Sequence, residues 1–129
     1  VDTAVADGEG DRPAVLNDAG SWSYAQLKDL SDRIARVLVE EERLIPGERV
    51  LLRGPNTATL FAAWLGVLKA GGIAVTTMPM LRAGEIAVIL ERSQASHAIV
   101  DARCMEDFAP ATVDAPALRT TLTYDGDLG

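Results

Sequence analysis

One cysteine, one histidine, few aromatics (5%) and a deficit of positive charge, 12 Lys and Arg against 19 Asp and Glu, set this chain's limits. The single cysteine, Cys104, excludes an internal disulfide and fits a reducing compartment. One His and one Cys cannot assemble a four-ligand zinc site. A net charge of −7, with no cluster of Lys and Arg, argues against nucleic acid or an anionic membrane as partner. No apolar run approaches the roughly 18–20 residues a membrane span needs. The opening residues, Val1 to Gly8, have neither the basic region nor the apolar core of a signal peptide, so the expected location is cytoplasmic. Both glycine-rich phosphate motifs, G-x-G-x-x-G and G-x-x-x-x-G-K-[ST], are missing.

What is present suits one globular domain: 129 residues, 48% of them hydrophobic. The chain opens on Val1 rather than Met and stops abruptly after Asp127-Leu128-Gly129, which reads as a segment of a longer protein. Residues 1–10 are polar and acidic and are expected to be flexible. Residues 11–129 form the expected α/β unit. Ala14-Val15-Leu16 and Ser21-Trp22, around Asn17-Asp18-Ala19-Gly20, read as a hairpin. Ser23 and Gln26 make a capping box, with Trp22 and Leu27 at the spacing of a hydrophobic staple. Leu27, Leu30, Ile34, Val37 and Leu38 then recur at helical spacing to near Glu42.

Arg49–Arg53 reads as a buried strand, broken by Gly54-Pro55-Asn56, and Asn56 or Thr57 can cap the next helix. That helix, 58–70, has no polar face, and its one charge is Lys69. A helix apolar all round is buried on every side, so part of its surface is expected against the remainder of a larger protein or a second copy of the chain. Ile73–Thr77 is the next strand, Ala83–Arg92 a helix, His97–Val100 a strand, Ala102–Phe108 a short helix, Pro110–Pro116 a loop and Leu118–Tyr124 a last strand. The alternation predicts a three-layer α/β fold: a mostly parallel sheet with helices on both faces, preceded by a short hairpin.

The residues that often carry chemistry do not form a catalytic set. Gly71-Gly72 follows a helix instead of opening one, so it reads as a left-handed C-cap rather than a phosphate loop. His97 opens a strand and reads as structural or exposed. Cys104 has acidic neighbours, Asp101, Glu106 and Asp107, which disfavour the thiolate a nucleophile needs. Glu40-Glu41-Glu42 point in different directions on a helix and read as a solvated end.

Several segments, in order, resemble the N-terminal part of the adenylate-forming superfamily of AMP-forming acyl- and aryl-CoA ligases. Asp11-Arg12-Pro13-Ala14-Val15 is similar to its opening strand. Trp22-Ser23-Tyr24-Ala25-Gln26-Leu27 is similar to its first core motif, with Gln in place of Glu. Pro46-Gly47-Glu48-Arg49-Val50 resembles its entry to the next strand, and Pro55-Asn56 the segment after that strand. Leu68 to Pro79 resembles the second core motif. Thr77 to Arg82 looks most like the benzoate and 2-aminobenzoate branch. The resemblance covers about residues 11–108.

The resemblance implies a parent enzyme that activates a small carboxylic acid, aryl in this branch, with Mg-ATP and transfers the acyl group to coenzyme A. An alternative from the same superfamily loads a carrier protein. A non-catalytic scaffold or oligomerisation module, self-associating through helix 58–70, is the alternative from another class. The family's phosphate-gripping loop, ribose-binding Asp and catalytic Lys have no match here, so the segment alone is expected to bind no cofactor and to be inactive. The resemblance also implies that Arg82 approaches the CoA phosphates, as guanidinium chemistry allows. An exposed loop arginine, or a partner for Glu85, is the other reading of that residue.

Overall fold

The computed structural model describes residues 13–17, 20–55, 57–78 and 80–124, with side chains described from Ser23 onward. Residues 1–10, expected to be flexible, lie outside the described residues. Strand β1 (Pro13–Asn17) pairs antiparallel with β2 (Gly20–Ser23), as the hairpin pattern predicts.

Helix α1 (Tyr24–Arg36) begins at the expected capping box. Ser23 Oγ accepts from the Gln26 amide at 3.1 Å, and Gln26 Oε1 accepts from the Ser23 amide at 2.8 Å. Two orphan amides of the first turn are thereby satisfied. Leu27, Ser31 and Leu38 are buried. The helix does not end as a regular α-helix. Its last turn, Val37–Glu41, widens to a π-helical turn, closed by Glu42 N donating to Val37 O at 2.9 Å. Arg43 then takes a positive φ of 54°, and Leu44 returns to the core.

The remaining elements alternate as expected: β3 (Arg49–Arg53), α2 (Ala58–Lys69), β4 (Ile73–Thr77), α3 (Ala83–Ser93), β5 (His97–Asp101), α4 (Met105–Ala111) and β6 (Thr120–Tyr124). A 3-10 turn, Ala102–Cys104, joins β5 to α4. α4 runs through Pro110, where a loop was expected. Proline sacrifices one helical hydrogen bond there, and the burial of Phe108 and Ala111 offsets it. At the end of α2, Gly71 has φ 86°, the left-handed cap that the glycine pair implied.

The larger sheet has four strands in the order β4-β3-β5-β6, all parallel. Successive residues of β3 face opposite layers, as pleating requires. Val50 and Leu52 pack with Leu38, Ala63, Val67 and Ile99 on the α1/α2 side. Leu51 packs with Ile86, Leu90, Ala98, Val100 and Phe108 on the α3/α4 side. The result is the expected three-layer α/β arrangement.

Helix α2 leaves part of its apolar surface uncovered within this segment. Ala58, Thr59, Ala62, Ala63, Gly66 and Val67 are buried, but Phe61, Trp64 and Leu68 are 42%, 37% and 47% exposed. Those three positions lie on one stripe. Small residues on the other side let α2 sink between α1 and the sheet, which leaves its large residues outward. The Phe61 and Trp64 rings meet at 5.9 Å between centroids.

Candidate functional site at the carboxyl edge of the sheet

Strand order locates the candidate site. From β3 the chain crosses to β4 through α2 on one face, and β5 leads into α4 on the other face. The carboxyl ends of β3 and β5 therefore form the topological switch point, the place where open α/β sheets take ligands.

Arg53 ends β3 at this point and is 1% exposed. A buried guanidinium needs acceptors around its planar fork. Arg53 Nε donates to Cys104 O at 3.1 Å, Nη1 to Met78 O at 3.2 Å and Nη2 to Leu81 O at 2.9 Å. One side chain thus ties β3 to the segment after β4 and to the 3-10 turn after β5.

Asp101 ends β5 with its side chain fully buried. Its Oδ1 accepts from the Arg103 amide at 2.9 Å and from Arg103 Nε at 3.0 Å, while Arg103 Nη2 lies 2.6 Å from Oδ2. The bidentate guanidinium is the main reason the Asp101 carboxyl stays ionised below the usual carboxylate range, against the opposing effect of burial. Arg103 remains mostly exposed beyond that pair.

Arg82, the site residue expected from the sequence, stands at the N-cap of α3 and is exposed. Its backbone amide donates to Glu85 Oε1 at 3.2 Å, so Glu85 caps the helix through the main chain of Arg82. Leu81, immediately before it, gives its carbonyl to Arg53. Exposed Met78 and Met80 precede it. Arg82 and Arg103 therefore sit on the two segments that Arg53 joins.

Sequence reasoning missed Arg53 and Asp101. The available signal was a charged residue closing an otherwise apolar strand, at Arg53 after Val50-Leu51-Leu52 and at Asp101 after Ala98-Ile99-Val100. His97 lies at the opposite edge and takes a structural role. It is fully buried, with Nε2 2.9 Å from Glu42 O and Nδ1 2.6 Å from Ser96 Oγ. A carbonyl only accepts, so Nε2 carries the proton toward Glu42. Among the described residues no group of His, Cys, Asp or Glu could hold a metal ion, and no helix is long and apolar enough to cross a membrane. On the other side of the sheet, an open apolar groove of about 380 Å³ runs between α1 and the β5–β6 surface, lined by Leu30, Ile34, Val37, Ile99 and Leu122.

A parallel α/β unit wound about a switch point is shared by many enzymes, and the sequence narrows the class. The chain belongs to the AMP-binding enzyme family, whose profile matches residues 2–128. It is 37% identical to the salicyl-AMP ligase / salicyl-S-ArCP synthetase of Mycobacterium tuberculosis, over 98% of this chain and 22% of that protein. The benzoate CoA ligase of Burkholderia xenovorans LB400 superposes with a TM-score of 0.82 at 25% identity, over 93% of this chain and 24% of that one. The anthranilate CoA ligase AuaEII, solved with anthranoyl-AMP, has the same fold, with a TM-score of 0.86 at 20% identity over 95% of this chain and 23% of that one. The chain thus spans less than a quarter of each of these relatives.

Proposed function

We propose that this segment is the N-terminal α/β part of a cytoplasmic ligase that activates an aromatic carboxylic acid with Mg-ATP. The products of that step are an acyl-adenylate and pyrophosphate, and the acyl group then passes to the thiol of coenzyme A, releasing AMP. The observation that carries the reading is the family match along nearly the whole chain, joined to relatives named for salicylate and benzoate. Within this reading the segment leaves the adenylation chemistry to the remainder of the ligase, its main partner, and is inactive alone. Arg82 would meet the phosphates of the acceptor, where a guanidinium fits.

ATP–pyrophosphate exchange by the intact ligase tests the first step. Benzoate, 2-aminobenzoate or salicylate should drive exchange better than a long-chain fatty acid, and the reverse order would overturn the aryl reading. Arg82→Ala should raise KM for CoA while leaving exchange unchanged; an unaltered KM would remove Arg82 from the site.

A second acceptor has specific support. The M. tuberculosis relative is named as a salicyl-S-ArCP synthetase. Acyl transfer to a phosphopantetheine-bearing carrier protein, with none to CoA, would establish that reading instead.

A further inference from the structure

We infer that Arg53 is a positioning residue for the thiol-transfer half of the reaction. It would set the place of Arg82 through the backbone rather than by touching substrate. The inference rests on the ligase reading above.

The geometry separates what Arg53 does from ordinary core packing. The residue in register with Arg53 on the neighbouring strand, Val100, fills its place in this layer with apolar bulk alone. Arg53 instead spends its donors on carbonyls of residues 25, 28 and 51 positions away in sequence. Two of those carbonyls, Met78 O and Leu81 O, belong to the connection from β4 to α3. The third, Cys104 O, belongs to the 3-10 turn that carries Arg103. The connection that ends in Arg82 is held otherwise by the local bonds of Leu81 N to Met78 O and of Arg82 N to Glu85 Oε1. Leu81 packs against the α3/α4 core, whereas Met78, Met80 and Arg82 are exposed.

Two hydrogen bonds from a buried cation therefore fix the segment from which Arg82 projects to the end of β3. Hydrogen bonds from a charged donor are about twice as strong as neutral ones. Removing their donor takes that partner from Leu81 O and leaves Met78 O with the Leu81 amide at 3.2 Å, which frees the segment to move. A ligand held by Arg82 would feel that movement. Chemistry held by other parts of the ligase would not.

The anionic group concerned is a phosphate of the acceptor. Coenzyme A and a phosphopantetheinylated carrier protein share that chemistry, so the test uses whichever acceptor the wild-type enzyme accepts. Lysine keeps the charge at position 53 but cannot span all three carbonyls, because its ammonium is a point and not a fork. Methionine keeps bulk and loses every donor.

In the intact ligase, Arg53→Lys should raise KM for the acceptor roughly tenfold, a size consistent with a sub-ångström misplacement. Arg53→Met should raise it further. ATP–pyrophosphate exchange should stay at the wild-type rate in both. Amide exchange at Leu81 and Arg82 should quicken while β5 keeps its protection. Thr77→Val, which removes a 2.9 Å bond from Thr77 Oγ1 to Leu52 O at the same junction, should leave KM unchanged.

Unchanged acceptor KM in folded Arg53 variants overturns the inference and leaves the ligase reading intact. So does an equal fall in both half-reactions, since that is the mark of a general loss of structure. If neither variant folds, Arg53 serves the fold alone and the inference is again overturned. Wild-type enzyme without carboxylate-dependent exchange overturns the ligase reading, and this inference with it.

Discussion

Gly66 of α2 lies so close to Ile34 of α1 that a Cβ on the glycine would fall 2.7 Å from Ile34 Cγ2 and 3.0 Å from the backbone oxygen of Ser31. The side chain can shift, but the Ser31 carbonyl belongs to a helix and cannot do so cheaply. The contact sets the separation of the two helices.

Gly66→Ala is therefore expected to destabilise the protein, although alanine is the better helix former. The gain in propensity is at most about 1 kcal/mol. Overpacking against fixed backbone costs about 1–3 kcal/mol. Urea unfolding should show a net loss, and Ile34→Ala in the same chain should recover only part of it, because the backbone clash persists. A Gly66→Ala variant as stable as the parent would show that the helices can part freely.

The same helix pair is joined by Lys69, whose Nζ lies 2.7 Å from Asp32 Oδ1 and 2.8 Å from Ser31 Oγ. Asp32 also receives Lys28 at 2.6 Å, so it keeps one cation when the other is removed. The Asp32 side chain is 37% exposed, which screens the pair. Lys69→Met should cost less than about 1 kcal/mol in thermal or urea unfolding. A loss several times larger would mean that Lys69, and not the Gly66 contact, holds α1 to α2.

Acid should weaken the protein through three carboxylates that stay ionised below their ordinary range. Arg103 is the main cause at Asp101, and Lys28, followed by Lys69, at Asp32. At Glu48 the main cause is the Ile45 amide, with Arg119 contributing. A folded-state pKa below the unfolded value means that the unfolded chain binds more protons in the acid window. The stabilisation is then complete above the ordinary carboxylate range and disappears as pH falls through the folded values. Tm should hold level from neutral pH down to about pH 5 and decline below it. Asp101→Asn should lower Tm at neutral pH and make the acid decline shallower. An unchanged decline would place the titrating group elsewhere.

The stripe of Phe61, Trp64 and Leu68 should be dispensable to the stability of this unit, because all three are exposed in it. Replacing them with serine should leave the unfolding midpoint of the isolated segment within about 0.5 kcal/mol per site. Dye binding and self-association should fall, as expected when an apolar patch is removed. In the intact ligase the same changes should destabilise, if the remainder of the protein covers the stripe. Equal tolerance in both settings would rule out that cover.

Much of this molecule is decided locally and is legible residue by residue. The capping box at Ser23 and Gln26, the left-handed Gly71 and the apolar triplets of β3 and β5 follow from short-range physics. A hydroxyl can reach an amide three residues on, glycine can adopt positive φ, and a fully buried strand must be apolar. From these the sequence by itself determined the order of elements and the three-layer class, and the order of its motifs, by resemblance, pointed to the family. Element edges that answer to distant contacts were not legible. The π-helical end of α1 depends on Leu38 and Leu44 both reaching the core, and α4 passes Pro110 because Phe108 and Ala111 are buried together.

Only the tertiary structure decided which side of α2 faces outward, since a uniformly apolar sequence carries no direction and the fit of Gly66 against Ile34 supplies it. It alone revealed Arg53 as the tie between segments that are 25 to 51 residues away in the chain. A hydrogen bond across that separation has no spacing rule in sequence, because parallel strand order, not chain distance, brings its partners together.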